Sequence, residues 1–187
     1  MASKTTPLTK VVTGKVRLSY CHLFEAYSNL PNQDPKFSVT LLIPKSDKVT
    51  LAAIKAAQQA ALEIGKTTKF GGKIPANWSN TLHDGDTEAD LDRNPEYAGH
   101  YYMGVSSNTR PGIVDRNVQP ILDSTEVYSG CYARVSINAF PFNMNGNKGA
   151  SFGLNHVQKL ADGESLTGMT KAEDDFEPLP DDDDDLM

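Results

Sequence analysis

Two groups of side chains in this 187-residue chain have the types and spacing to do chemistry. The first is the run Leu82-His83-Asp84-Gly85-Asp86-Thr87-Glu88. Clustered carboxylates and an imidazole are what two-metal phosphoryl hydrolysis requires. A calcium loop fails on register. Counting from Asp84, Ala89 stands where the sharp-turn glycine belongs and Pro95 where the bidentate glutamate belongs. His83, Asp84 and Asp86 are therefore the candidates for an enzyme alternative, a metal-dependent nuclease or phosphohydrolase. A solvated acidic loop is the competing reading of the same residues. His22, His100 and His156 stand alone, and no nucleophile elbow, Walker loop or dinucleotide fingerprint is present. Cys21 and Cys131 have neither zinc nor disulfide-framework spacing and read as buried free thiols. No cofactor and no metal is expected, and the leading expectation is a protein that is not an enzyme.

The second group lies on one strand. Cys131, Ala133, Val135, Ile137 and Ala139 share one face, while Tyr132, Arg134, Asn138 and Phe140 share the other, and Phe142 follows Pro141. Aromatic rings stack on bases and cations meet phosphates, so this face suits single-stranded nucleic acid. Lys15 and Arg17 on an earlier strand, and Arg110, Arg116 and Lys148 in predicted loops, complete the candidate DNA-binding set. The competing readings place Phe140 and Phe142 in a second apolar layer or a dimer interface. The whole face is then an assembly surface, as in a virion or scaffolding protein.

Charge separates the chain into two parts. From Ala172 onward there are nine acids and no base, ending Asp181-Asp182-Asp183-Asp184-Asp185-Leu186-Met187. Without that segment 18 basic residues face 15 acidic ones, net +3 instead of −6. Setting aside the acidic loop 84–96 as well leaves net +8. Residues 1–171 thus read as one basic domain and 172–187 as a disordered acidic tail, since like charges repel and stay solvated. Leu186 and Met187 give the tail an apolar anchor suited to a basic-rimmed pocket on a partner. Sixteen flexible residues span about 22 Å, enough for the tail to reach a groove on its own domain.

The elements that would position these residues are mostly strands. Val11–Tyr20 alternates, with Val12, Val16, Leu18 and Tyr20 on the apolar face, and Phe37–Ile43 repeats the pattern. One helix is expected after Ser46 as cap, with Leu51, Ile54, Ala57, Ala61 and Leu62 inward and Gly65 as its stop. Residues 66–99 read as irregular. Strand patterns resume at Tyr101–Ser107, Ile113-Val114, Ile121-Leu122, Cys131–Phe140 and Ala150–Leu160, with a turn at Asn143–Gly149. The expected class is mainly β: an OB-like antiparallel barrel with one amphipathic helix and long loop insertions. No apolar stretch approaches the ~20 residues of a membrane helix, and the N-terminus has no signal-peptide core. The expected location is the host-cell cytoplasm, away from membranes. Surplus aromatics make a homodimer a further expectation.

Several segments together resemble a known family. They are Leu82-His83-Asp84-Gly85-Asp86, Tyr97-Ala98-Gly99-His100-Tyr101, Arg110-Pro111-Gly112-Ile113-Val114-Asp115, Tyr128-Ser129-Gly130-Cys131-Tyr132, Asn145-Gly146-Asn147-Lys148-Gly149 and Gly153–Leu160. From about residue 9 to 176 the chain resembles bacteriophage single-stranded DNA-binding proteins with an OB-like fold. The resemblance implies sequence-independent binding of single-stranded DNA in phage replication or recombination, without catalysis. The tail is similar in kind to those of other single-strand binders, which regulate DNA binding and recruit replication and recombination proteins. Those tails commonly end in an aromatic residue, whereas this one ends in Leu186-Met187.

Overall fold

The computed structural model describes residues 8–167 and 175–179. Its first strand pattern breaks in two. Lys10–Val12 forms β1 and Val16–Tyr27 forms β2, with Thr13, Gly14 and Lys15 between them. The break inverts the face expected for the first part, so Val11 is buried and Val12 is exposed. Buried Thr13 anchors the break: its hydroxyl accepts from the Val135 N–H at 3.0 Å and donates to the Gly14 carbonyl at 2.8 Å.

Strand β3 (Lys36–Pro44) leads into helix α1 (Lys48–Thr68). The cap is Asp47 rather than Ser46: its carboxylate accepts from the Thr50 N–H at 3.1 Å and from the Thr50 hydroxyl at 2.6 Å. Leu51, Ile54, Ala57, Ala61 and Leu62 face inward as their spacing demands. Gly65 does not stop the helix. It is buried in the last turns, and its carbonyl accepts from Lys69 and Phe70 where the helix ends. The inward face packs on β1 and on two strands from the C-terminal half, β8 (Tyr132–Met144) and β9 (Asn147–Ala161).

The segment read as irregular contains β4 (Ser79–Asn80), β5 (His83–Asp84), the single-turn helix α2 (Gly85–Glu88) and a 3₁₀ turn at Pro95–Tyr97. β6 (His100–Ser107) and β7 (Gly112–Val114) follow. Ile121-Leu122 is not a strand; the preceding Pro120 makes a single bridge to Val114, and Leu122 is exposed. β8 extends two residues and β9 three into the predicted turn, leaving Asn145-Gly146 at the tip, both at positive φ.

Pairing links five strands in a ring: β8 to β2, β2 to β3, β3 to β6, β6 to β9, and β9 back to β8. The barrel is not closed. β6 meets β9 through one pair, Ser106 and Gly153, leaving an open seam. Nor is the sheet purely antiparallel, because β4, β6 and β7 run parallel to β9. Inside lie Val16, Leu18, Leu41, Ile43, Met103 and Ile137, all fully buried. Each stabilises the fold by about 1.5–3 kcal/mol relative to exposure. Cys131 is buried among them and Cys21 half-buried, both unbridged. Burial pushes the Cys21 thiol up to about 12, so it stays protonated at neutral pH.

Candidate nucleic-acid interface

The candidate residues on β8 are spread along a strand rather than gathered at one point. Ten residues separate Tyr132 from Phe142, roughly 33 Å of extended chain. At the Tyr132 end, Lys15 Nζ lies 4.9 Å and Arg17 Cζ 5.7 Å from the Tyr132 ring centroid. Arg17 is held by the chain itself, its Nε donating to the Gly130 carbonyl at 3.1 Å and Nη2 to the Glu164 carbonyl at 2.8 Å. Arg134 Nε donates to the Thr13 carbonyl at 3.1 Å. Arg116 reaches the Leu160 carbonyl at 3.4 Å, beside Gln158, which pairs with Arg134. Lys15, Arg17, Arg116, Tyr132 and Arg134 therefore form one basic end of the sheet.

Asn138 and Phe140 occupy the middle. Asn138 accepts from the Thr9 hydroxyl at 3.1 Å, and Phe140 is 43% exposed. Phe142 and Lys148 are half-buried near the hairpin tip, where Asn143 ties the hairpin to the end of α1 through the Lys69 carbonyl. Arg110 stands apart from all of these in the loop before β7, with Cζ 5.6 Å from the Phe24 ring centroid. Asp181, Asp182, Asp183, Asp184, Asp185, Leu186 and Met187 lie outside the described residues. Of the segment before them, Phe176 and Leu179 are exposed.

The acidic loop is used locally. Lys45 Nζ sits 2.6 Å from both Asp84 Oδ1 and Asp86 Oδ2, and His83 Nδ1 lies 3.1 Å from Glu88 Oε1. Asp84 also caps α2, and Asp86 accepts from the Gly99 N–H. Among the described residues, no three His, Cys, Asp or Glu side chains come together in a way that could hold a metal ion. The Lys45 ammonium holds both aspartates below the usual carboxylate range. Such a group stabilises the fold above its unfolded pKa, and this contribution disappears as pH falls through the lower, folded value. Thermal melts from pH 7 down to pH 2.5 should therefore show an acid-limb loss in the parent protein that is smaller in Lys45→Met. Identical limbs in the two proteins would deny the network this role.

The concave surface lies elsewhere, over β2, β3 and β6. A hollow of about 650 Å³ is lined by Tyr20, His22, Tyr27, Ser38, Thr40, Gly104 and Ser106. Register builds it: Thr40 pairs with Gly104, Ser38 with Ser106, and His22 with Ser38. The strands thus present a floor of small hydroxyls around Gly104, where an added Cβ would meet nothing within 4 Å. Glycine inside a strand costs stability and marks close approach of another group. His22 and Tyr27 stack at 4.2 Å with an interplanar angle of 7° and form one wall.

Tyr20 also lines the hollow and is 55% exposed. Period-two alternation places it inside with Val16 and Leu18, but the strand bulges between Ser19 and His22. Tyr20 adopts φ +48°, the left-handed region that bulky side chains avoid. The bulge turns its ring outward, and its hydroxyl donates to Asn94 Oδ1 at 3.2 Å. Behind the rim, buried Tyr97 bonds Ser19 Oγ at 3.3 Å and packs against Tyr102 at 5.1 Å between centroids. Two flat aromatic walls above a hydroxyl floor can hold unpaired bases by stacking. Sequence reasoning missed this site. The available signals were Ser38 and Thr40 at outward positions of an otherwise apolar strand, and Gly104 within another.

The chain and its fold have known counterparts. The family described as Enterobacter phage Enc34, ssDNA-binding protein, matches residues 9–187. A putative protein p50 of Acyrthosiphon pisum secondary endosymbiont phage 1 is 32% identical over 165 residues, covering 85% of this chain and 87% of that protein. The single-stranded DNA-binding protein of bacteriophage Enc34, solved in complex with single-stranded DNA, superposes with a TM-score of 0.69 at 28% identity, covering 84% of this chain and 89% of that chain. The gp2.5 single-stranded DNA-binding protein of bacteriophage T7 shares the fold, with a TM-score of 0.59 at 14% identity over 89% of this chain and 91% of that one.

Proposed function

The chain belongs to the Enc34 family of phage single-stranded DNA-binding proteins, and from that premise we propose that it coats single-stranded DNA without sequence preference during phage DNA replication and recombination in the host cytoplasm. The observation that carries this reading is the hollow over β2, β3 and β6, lined by exposed Tyr20 and the His22–Tyr27 stack. OB-type folds bind oligonucleotides across a sheet face and its bordering loops. Among the described residues, none of the side chains lining the hollow is a carboxylate. Every base has a π-face, so stacking tolerates any sequence. The hydroxyls of Ser38, Thr40 and Ser106 supply adaptable hydrogen bonds, and Lys36 stands opposite Tyr27 at the rim. The basic end around Lys15, Arg17, Arg116 and Arg134 adds phosphate contacts beyond the groove. Among the described residues, no helix is long and apolar enough to cross a membrane.

The acidic segment 172–187 regulates this surface in the same reading. A polyanion competes with DNA for the basic body, and DNA displaces it toward partner replication proteins, which Leu186 and Met187 then anchor. Titration of oligo-dT against the protein at two salt concentrations tests the binding. Affinity should fall steeply with salt, because each neutralised phosphate releases counterions, and a duplex of equal length should bind more weakly. Equal affinity for duplex and single strand would overturn the assignment. Deleting 172–187 should tighten oligo-dT binding at low salt, and the difference should fade as salt rises. Unchanged or weaker binding on deletion argues against a competing tail.

A further inference from the structure

A second hollow, of about 340 Å³, lies at the open β6–β9 seam, with Ser107 of β6 and Leu154, Asn155 and His156 of β9 in its lining. Its walls include Lys10, Ser107, Arg110, Ser136, Asn155 and His156, and among the described residues no carboxylate lines it. What distinguishes it is the direction of its hydrogen bonds. Ser107 Oγ already accepts from the Thr109 N–H at 3.0 Å, and Ser136 Oγ from Asn155 Nδ2 at 3.4 Å. Each hydroxyl keeps its hydrogen to donate. His156 Nδ1 accepts from the Gly112 N–H at 3.0 Å, so the neutral ring carries its proton on Nε2. Glycine at 112 permits that approach, since a Cβ there would stand 2.8 Å from Nδ1. Lys10 and Arg110 add two cations. The lining is therefore rich in donors, with Ser107 Oγ, Ser136 Oγ and His156 Nδ1 each already accepting a bond inside the protein, which suits an anion with several oxygens.

Two features join the hollows. Ser106 lines the first and Ser107 the second, so the two hollows meet at consecutive residues of β6 whose side chains point to opposite faces. Arg110 lines the second hollow while its guanidinium lies against Phe24 of β2, the strand that carries Tyr20, His22 and Tyr27. The seam is also where the sheet is thinnest, at the single Ser106–Gly153 pair.

We propose that this second hollow is a phosphodiester subsite that grips the backbone of the DNA strand after its bases leave the Tyr20–Tyr27 groove, so that the bound strand crosses the β6–β9 seam. The proposal rests on the groove being the base-binding site. It divides the labour, with stacking over β2, β3 and β6 and phosphate capture at the seam.

Full-length parent protein, Lys10→Gln, His156→Gln and Tyr20→Gly are to be titrated with dT oligonucleotides of about four and about sixteen nucleotides, the range one OB unit covers. Lys10→Gln and His156→Gln should bind the long oligonucleotide about tenfold more weakly and leave the short one unchanged. Lys10→Gln should also lower the salt slope on the long oligonucleotide by about 0.7 for the lost phosphate contact. Circular dichroism melts like the parent's establish that both variants fold. Unchanged affinity for the long oligonucleotide, with Tyr20→Gly weak on both lengths, would overturn the subsite and leave the groove standing. Equal losses on both lengths would overturn the crossing, because the two hollows would then be one site. Parent-like binding of both lengths by Tyr20→Gly would instead overturn the groove reading, and the two-part path with it.

Discussion

Tyr20→Gly is expected to lose DNA affinity while keeping its fold. One stacked base contributes about 1–3 kcal/mol, so the dissociation constant for oligo-dT should rise roughly 5- to 150-fold. Stability has opposing terms. A bulky residue held in the left-handed region costs about 1–2 kcal/mol, which glycine removes. Against that stand glycine's greater chain entropy, about 0.5–1 kcal/mol, and the exposed hydrogen bond to Asn94. The melting temperature should therefore stay within a few degrees of the parent's. Tyr20→Ala removes the ring but keeps a Cβ at φ +48°. It should bind as weakly as the glycine variant and melt lower. Fluorescence titration and calorimetry on the three proteins read both quantities. Full affinity in Tyr20→Gly would show that the strain serves the fold alone. Tyr132→Ala is the contrasting arm: its ring already has Lys15 and Arg17 beside it, so a loss there marks a separate contact at the basic end of β8.

Filling the floor of the groove should have the opposite signature. Gly104 lies mid-strand between buried Met103 and Val105, with open space where its side chain would stand. Substituting Ala, Val and then Leu should raise stability, by about 0.5–1 kcal/mol for Ala over Gly, and β-branched Val should gain further. Binding should fall along the same series as the added carbons occupy the space above Thr40 and Ser106, with Leu losing about tenfold or more. Stability rising while affinity falls is a pattern that damage to the fold cannot produce. A Gly104→Leu protein that binds oligo-dT like the parent would show that no base or backbone reaches the floor.

These two positions show where sequence stops informing the site. The helix was legible because Leu51, Ile54, Ala57, Ala61 and Leu62 repeat at a spacing that only a helix turns to one side. Its cap fell one residue along, at Asp47, because Thr50 offers two donors to that carboxylate. The inward face of β8 was equally legible, since Cys131 to Ala139 alternates without interruption and all five residues are buried. Tyr20 was not. Alternation carries it inward with Leu18, and only the bulge at Ser19–His22 reverses it. The groove failed to announce itself for the same kind of reason. Its walls come from β2, its floor from β3 and β6, and no stretch of sequence contains more than one part of it.

The mainly β class, the long amphipathic helix, the basic body with its acidic end, and the family are all readable without the fold. Each of these is written in local periodicity, in summed charge or in short motifs, which do not depend on how strands meet. Tertiary structure decided the open seam, the pairing of Asp84 and Asp86 with Lys45, and the position of the aromatic groove. Those depend on register, where a shift of one residue exchanges the two faces of a strand. Breaks at Thr13–Lys15 and Ser19–His22 make that shift twice within fifteen residues. The ring that alternation would bury therefore stands at the rim of the groove.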